Sequence, residues 1–369
     1  MRILMLSKAC VVGMYQRKLE EMARLPGVEL TVVVPPSWRD PSGELRLEKA
    51  YTSGYRMLVE PIRFNGSFHL HYFPTLARRL NTLCPDVVHI DEEPYNVAAW
   101  HALWLARRAG AKTLFFSWQN LLRRYPFPFS VGERWVLRHV DYAIAGTDSA
   151  AEVWRAKGYR GPLAVIPQFG IDPDLFMPAK ARAAGRGFVV GYVGRLVPEK
   201  GVDVLIRALA QVGTASAWRL EIIGQGPERE SLERLARSLN VGDRVAFTGQ
   251  VPSTRMPAFY QELDALVLPS RTRPNWKEQF GRAIVEAMAC GVPVIGSDSG
   301  FIPGAVGDGG LIFPEGSVAA LAAHLRALME DEALRRQLGE RGRARVLERY
   351  THRQVAAQTV AVYREMVGG

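Results

Sequence analysis

Short runs of β-branched and other apolar residues alternate with helix-period stretches along almost the whole chain, and this rhythm constrains the fold more than any other feature. Residues 2–6, 29–34, 86–90, 113–116 and 142–145 read as strands, with helical patterns over 16–24, 96–108 and 149–157. Such alternation predicts an α/β fold built on parallel sheets. Between residues 167 and 186 the pattern dissolves into prolines, glycines and small residues. It restarts with a strand at 188–193 and continues through strands at 219–223, 244–247, 265–268, 292–295 and 311–313. The expected organisation is a first Rossmann-like lobe over 1–170, a linker over 171–186 and a second Rossmann-like lobe over 187–350. Open parallel sheets bind ligands beyond the carboxyl ends of their strands, so two such lobes are expected to face a central cleft lined by loops of both.

Length and composition agree. A chain of 369 residues with 48% hydrophobic and 23% charged residues can build two cores and is too apolar for disorder. Its longest apolar stretches, 95–106 and 113–118, fall short of the roughly 20 residues a membrane-spanning helix needs. Lys8 interrupts the apolar opening, which reads as a first strand and not as a signal peptide. Cys10, Cys84 and Cys290 show no metal-like spacing and suit a reducing compartment, so a cytoplasmic protein is expected. The net charge is +10: 25 Lys and Arg stand against 17 Asp and Glu through Arg186, a surplus of +8 that leaves +2 for the rest. That excess suits anionic partners, either a nucleic acid or an acidic membrane leaflet, and charge alone does not decide between them.

Two segments carry chemistry. After the strand ending at Val193 come Gly194 and Arg195, then Lys200 and Gly201 opening a helix. A glycine that permits close approach, helix N-terminal amides and two fixed cations are what a diphosphate requires. Downstream, Glu278, Gln279, Phe280 and Gly281 precede a helix that continues through Glu286. With a helix start near Gly281, Glu286 lies about 7 Å along the axis and Glu278 in the loop before it. The acids then address different ends of an extended ligand, with free amides between them for a phosphate. The expectation is that Arg195, Lys200, Glu278 and Glu286 converge on one pyrophosphate-linked sugar.

Residues 191–209 and 269–313 resemble the retaining glycosyltransferase family 4, which has the GT-B fold. The resemblance implies that Arg195 and Lys200 bind the donor diphosphate, that Glu278 meets the donor sugar and Glu286 the ribose. Gly224 in the segment 224–227 resembles the family's turn after a strand, and Gln250 and Val251 in 248–251 the segment against the nucleobase. Together with Gly194, Phe280 and Gly281 these make up the implied donor site. In the first lobe the match is looser: 165–176 resembles the family's approach to the linker, and Gly13 lies where the family brings a glycine near the phosphates. Many members carry a histidine after the fourth-strand region; this chain has His89, Ile90, Asp91, Glu92, Glu93 and Pro94. Asp91 or Glu92 is therefore expected to face the acceptor or donor sugar, and His89 to be a strand residue. At Gly304, where relatives often have glutamate, no role carries over.

The resemblance implies a metal-independent transferase acting with retention in glycan biosynthesis, from a UDP- or GDP-sugar to a glycan, lipid-linked or small-molecule acceptor, with no cofactor required. Asp172, Pro173 and Asp174 imitate an Asp-x-Asp metal motif but fall in the linker, so no metal site is expected there. In the resembling fold the helical segment 351–369 crosses back to complete the first lobe. The rival enzyme is a nucleotide-sugar epimerase or hydrolase of the same architecture. The rival of another class is a basic membrane- or nucleic-acid-binding protein, suggested by the pairs Arg78 with Arg79, Arg107 with Arg108 and Arg123 with Arg124. Zinc spacings and RNA-binding aromatic motifs are lacking, so no nucleic acid is expected. The same pairs, with Trp118, Tyr125, Phe127 and Phe129, suit peripheral contact with an anionic membrane.

Overall fold

Buried on both faces, parallel strands read as continuous apolar runs, and that pattern recurs in both sheets of the computed structural model. It describes residues 1–40, 43–179, 187–214, 216–252 and 255–368; residues 180–186 of the expected linker lie outside the described residues. The chain divides into two compact units, Met1–Gly170 with His352–Gly369, and Ile171–Thr351.

The first unit contains β1 (Arg2–Leu6), β2 (Glu29–Val34), β3 (Ser37–Asp40), β4 (Gly43–Arg46), β5 (Arg56–Val59), β6 (Val87–Ile90), β7 (Lys112–Ser117), β8 (Tyr142–Ala145) and β9 (Leu163–Val165). Seven of these form one sheet in the order β5-β2-β1-β6-β7-β8-β9, all parallel, while β3 and β4 pair as an antiparallel hairpin. Val87, Val88 and Ile90 of β6 are fully enclosed, as a central strand requires. The last helix, His352–Gly368, belongs to this unit: Val355, Ala356, Val360 and Tyr363 pack with Ile3, Met5 and Val32.

The second unit contains β10 (Phe188–Val193), β11 (Trp218–Ile223), β12 (Val245–Thr248), β13 (Ala265–Leu268), β14 (Val294–Ser297) and β15 (Gly310–Phe313), in the order β12-β11-β10-β13-β14-β15. All pairs are again parallel. The helix Val202–Val212 buries Val204, Leu205, Ala208 and Leu209 in the core below this sheet.

In each unit the chain lays strands outward to one side, then returns and lays the rest to the other. The order reverses between β1 and β6 in the first unit, and between β10 and β13 in the second. Loops at the carboxyl ends of those neighbouring strands diverge, which opens a crevice at each switch point.

Candidate functional site

The second unit's switch point gathers the residues after β10 and β13. Lys200 Nζ lies 2.6 Å from Glu278 Oε2, and the Ser270 hydroxyl donates to the same oxygen at 2.9 Å. The side chains of Lys200 and Glu278 are only 13% and 9% exposed, so each charge depends on the other. The Trp276 ring lies 5.0 Å from the ammonium. Lys200 ends a 3-10 turn, Pro198–Lys200, and Gly201 follows at φ 66, ψ 24 to start the helix Val202–Val212. A Cβ at Gly201 would stand 2.0 Å from the Pro269 carbonyl oxygen, so only glycine lets the loops after β10 and β13 touch.

A second close approach fixes the neighbouring loop. A Cβ at Gly224, φ 155, would meet the Gly194 carbonyl oxygen at 1.8 Å. Leu196 N–H donates to Gln225 O at 2.8 Å, and the Tyr192 hydroxyl donates to Arg195 O at 2.8 Å. The backbone carrying Arg195 is thereby clamped, while its side chain is 65% exposed with Glu199 at 3.7 Å. Gly281 precedes the helix Arg282–Ala289, and Phe280 stacks on Phe301 at 6.1 Å. On that helix Glu286 accepts from the Tyr260 hydroxyl and from Arg282 Nε, both at 2.7 Å. The structure thus joins Lys200 to Glu278 directly, while Arg195 and Glu286 have other partners. Gln250 is exposed beyond β12, and Val251 packs partly against the core.

The first unit's switch point gathers the residues after β1 and β6. Ser7 donates to Asp91 Oδ2 at 2.5 Å and Gln168 Nε2 to Asp91 Oδ1 at 2.8 Å. The buried Lys18 donates to Gln168 O at 3.0 Å. Lys8 pairs with Glu92 Oε2, and His71 Nε2 stands 3.2 Å from Glu92 Oε1. Glu93 turns the other way and accepts from the Ser117 hydroxyl at 2.5 Å and Trp118 N–H at 2.9 Å. Three consecutive carboxyls therefore sit in three environments. Burial pushes the Asp91 carboxyl up against the pull of Ser7, Lys18 and Gln168. Burial also opposes ionisation of Glu92, yet the charges of Lys8 and His71, with the hydrogen bonds these two side chains donate, together outweigh it and hold the carboxyl at about 2. For Glu93 burial wins over its two hydrogen bonds and lifts the carboxyl to about 7. His89 lies in β6, and its Nδ1 contacts the Tyr363 hydroxyl at 2.6 Å. Gly13 N–H donates to the Glu48 carboxylate at 2.6 Å.

Lys8, Lys18, His71 and Gln168 were not legible as site residues. Lys8 and Glu92 are 84 positions apart, and only the parallel pairing of β1 with β6 brings them together. Ser270 and Trp276 lay inside the segment matched to the family, but their contacts with Glu278 and Lys200 depend on how that loop folds.

The family model for glycosyl transferases group 1 matches residues 176–345, and that for the glycosyl transferase 4-like domain matches residues 12–168. A GDP-mannose-dependent α-(1-6)-phosphatidylinositol monomannoside mannosyltransferase of Mycolicibacterium smegmatis is 33% identical over 344 residues, covering 88% of this chain and 87% of the relative. The chain belongs to the glycosyl transferases group 1 family. A D-inositol 3-phosphate glycosyltransferase of Streptomyces bingchenggensis is 32% identical over 65% of this chain and 56% of its own length. Among solved structures, a sucrose-phosphate synthase from Thermosynechococcus elongatus superposes with a TM-score of 0.73 at 22% identity, over 100% of this chain and 99% of that one. HepE of Anabaena, solved with UDP and glucose, gives 0.72 at 21% identity over 99% and 100%. These likenesses make the fold GT-B, with two Rossmann-like parallel-sheet lobes, and the chain a glycosyltransferase.

Proposed function

We propose that this glycosyltransferase moves a hexosyl group, with retention, from a GDP- or UDP-sugar bound by the second unit to a hydroxyl of a glycan, inositol-containing or lipid-linked acceptor bound by the first. The observation that carries the reading is the Lys200–Glu278 pair at the second unit's switch point: an ammonium suited to a diphosphate beside a carboxylate suited to sugar hydroxyls. Arg195 and the amides of the helix Arg282–Ala289 add positive charge for the leaving diphosphate, so the reading needs no divalent ion. Gly194, Gly224, Phe280 and Gly281 shape the diphosphate and sugar subsites, and Gln250, Val251 and Glu286 address the nucleoside. In the transfer the bond from C1 to the diphosphate oxygen breaks, the bond from C1 to the acceptor oxygen forms on the same face, and the acceptor proton passes to the departing phosphate oxygen. The solved UDP complex and the GDP-mannose-dependent relative support both nucleotides as candidates.

Thermal unfolding of the protein with nucleoside diphosphates tests the reading. A ligand that binds only the native state raises stability by about 2.7 kcal/mol at 100 times its Kd. GDP or UDP is expected to raise the melting temperature of the wild type and not of a Lys200→Ala, Glu278→Gln variant. Melting curves of the wild type indifferent to both nucleotides would remove it.

The first unit also supports peripheral contact with an anionic bilayer. Leu122, Phe127 and Val131 are exposed, Phe127 by 82%, beside exposed Arg123, Arg124, Arg134 and Arg138. Val131, Arg134 and Arg138 share one face of the helix Phe129–His139. No described helix is long and apolar enough to cross a membrane. Phosphatidylserine vesicles are expected to sediment the wild type, and a Leu122→Ser, Phe127→Ser variant about 10-fold less; equal recovery with neutral vesicles refutes the contact.

A further inference from the structure

A carboxylate stands among the apolar side chains of its helix. The helix Arg282–Ala289 turns Ile284, Val285, Ala287 and Met288 into the core of the second unit, and the Glu286 side chain beside them is only 12% exposed. A charge held this far from water must be met by donors. Two are built in. The Tyr260 hydroxyl, on the helix Met256–Gln261, donates to Glu286 Oε2, and Arg282 Nε donates to Oε1, each at 2.7 Å.

The two bonds differ in kind. Tyr260 is fully enclosed, with the Phe176 ring 6.2 Å from its own, so the phenol meets no ligand itself and acts only through Glu286. Burial first, and then the charge of Glu286, push the phenol well above its usual range, so it remains a donor at neutral pH. The Arg282 side chain is 34% exposed, which makes Oε1 the oxygen on the solvent side. Each carboxylate oxygen offers two lone pairs, and Arg282 Nε takes one of those on Oε1. Where the other points depends on the plane of the carboxyl group, whose terminal torsion is intrinsically broad. Arg282 belongs to the same helix as Glu286; Tyr260 belongs to another, and its bond to Oε2 fixes that plane against the rest of the core.

We infer that Tyr260 is a positioning residue for donor recognition: by holding Oε2 it aims Oε1 of Glu286 at a ribose hydroxyl, and so sets a preference for ribonucleoside over deoxyribonucleoside diphosphates. Arg282 is the second hold on the same carboxylate. The inference rests on the reading that Glu286 addresses the nucleoside.

Calorimetric titration of the full chain with GDP, UDP and their 2'-deoxy and 3'-deoxy counterparts tests it. Base and diphosphate are the same within each series, so the ratio of affinities isolates one hydroxyl. The wild type is expected to bind a ribonucleotide about 10-fold or more tightly than one of its deoxy counterparts, the scale of a hydrogen bond to a charged group. Tyr260→Phe, which removes one oxygen and keeps the ring, is expected to cut that ratio to about 3-fold or less. In transfer it should raise the donor KM with kcat little changed, because the ribose contact is made alike in the ground and transition states. Phe176→Leu disturbs the same packing without touching the hydroxyl, and is expected to lower the melting temperature and keep the ratio. Should Tyr260→Phe not fold, Arg282→Gln, on the part-exposed side, is judged by the same ratio. A ratio that Glu286→Gln abolishes and Tyr260→Phe leaves intact overturns the inference while the donor reading stands. An equal fall in Phe176→Leu overturns it as well, since the loss would then be one of packing. A wild type that binds ribo- and deoxyribonucleotides alike removes the role of Glu286 and the inference together; one that binds no nucleotide removes the donor reading too.

Discussion

Alanine at Lys200 is expected to slow glycosyl transfer by about 100-fold, the scale on which one charge-stabilising donor acts on a developing anion. The ammonium has two duties, and they can be separated. In the free protein it neutralises Glu278, 2.6 Å away and nearly enclosed, so removing it takes the opposing charge from a buried carboxylate to which the Ser270 hydroxyl still donates. Breaking a buried pair on one side costs about 3 kcal/mol or more. Changing both partners removes that burden. A Lys200→Ala, Glu278→Gln protein is therefore expected to melt near the wild type and to remain as slow as the single variant. Recovery of rate together with stability in the double variant, measured as kcat/KM for donor, would assign Lys200 a purely structural part.

Gly201→Ala is expected to destabilise the second unit by about 4 kcal/mol, from a left-handed φ combined with a backbone clash. The added methyl would lie 2.0 Å from the Pro269 carbonyl oxygen, an atom that cannot rotate away as a side chain can. Relief requires the loops after β10 and β13 to part, and those loops carry Lys200 and Glu278. A melting temperature lower by about 10 °C, with the loss of nucleotide binding at temperatures where the variant is folded, is the expected result. A melting temperature within about 2 °C of wild type would show that the loops separate freely.

The strands at the centre of each sheet were legible almost to the residue. β1, β2, β8, β10 and β13 match the apolar runs read from the chain, because a central parallel strand must be buried throughout its length. Edges were harder. β5 and β9 are short edge strands whose apolar residues stay partly or fully exposed, and the β3–β4 hairpin is largely exposed, so none announces itself by pattern. β12 and β14 begin one and two residues later than their apolar runs, since the partner strand, and not composition, decides where pairing starts.

The same division holds for the candidate site. Lys200, Gly201, Glu278, Gly281 and Glu286 are carried by two local segments, a strand-to-helix turn and a loop before a helix, whose geometry follows from short-range rules of glycine conformation and helix termini. Those rules act within a few residues, and so a linear reading suffices for them. Which charge meets which is another matter. Lys8 finds Glu92, and Lys200 finds Glu278, across 84 and 78 positions because sheet order places β1 beside β6 and β10 beside β13. Only the tertiary structure decides that order, and with it the state of each carboxyl: neighbouring Glu92 and Glu93 are driven in opposite directions by what the fold packs around them, since burial and Coulomb forces act through space and not along the chain.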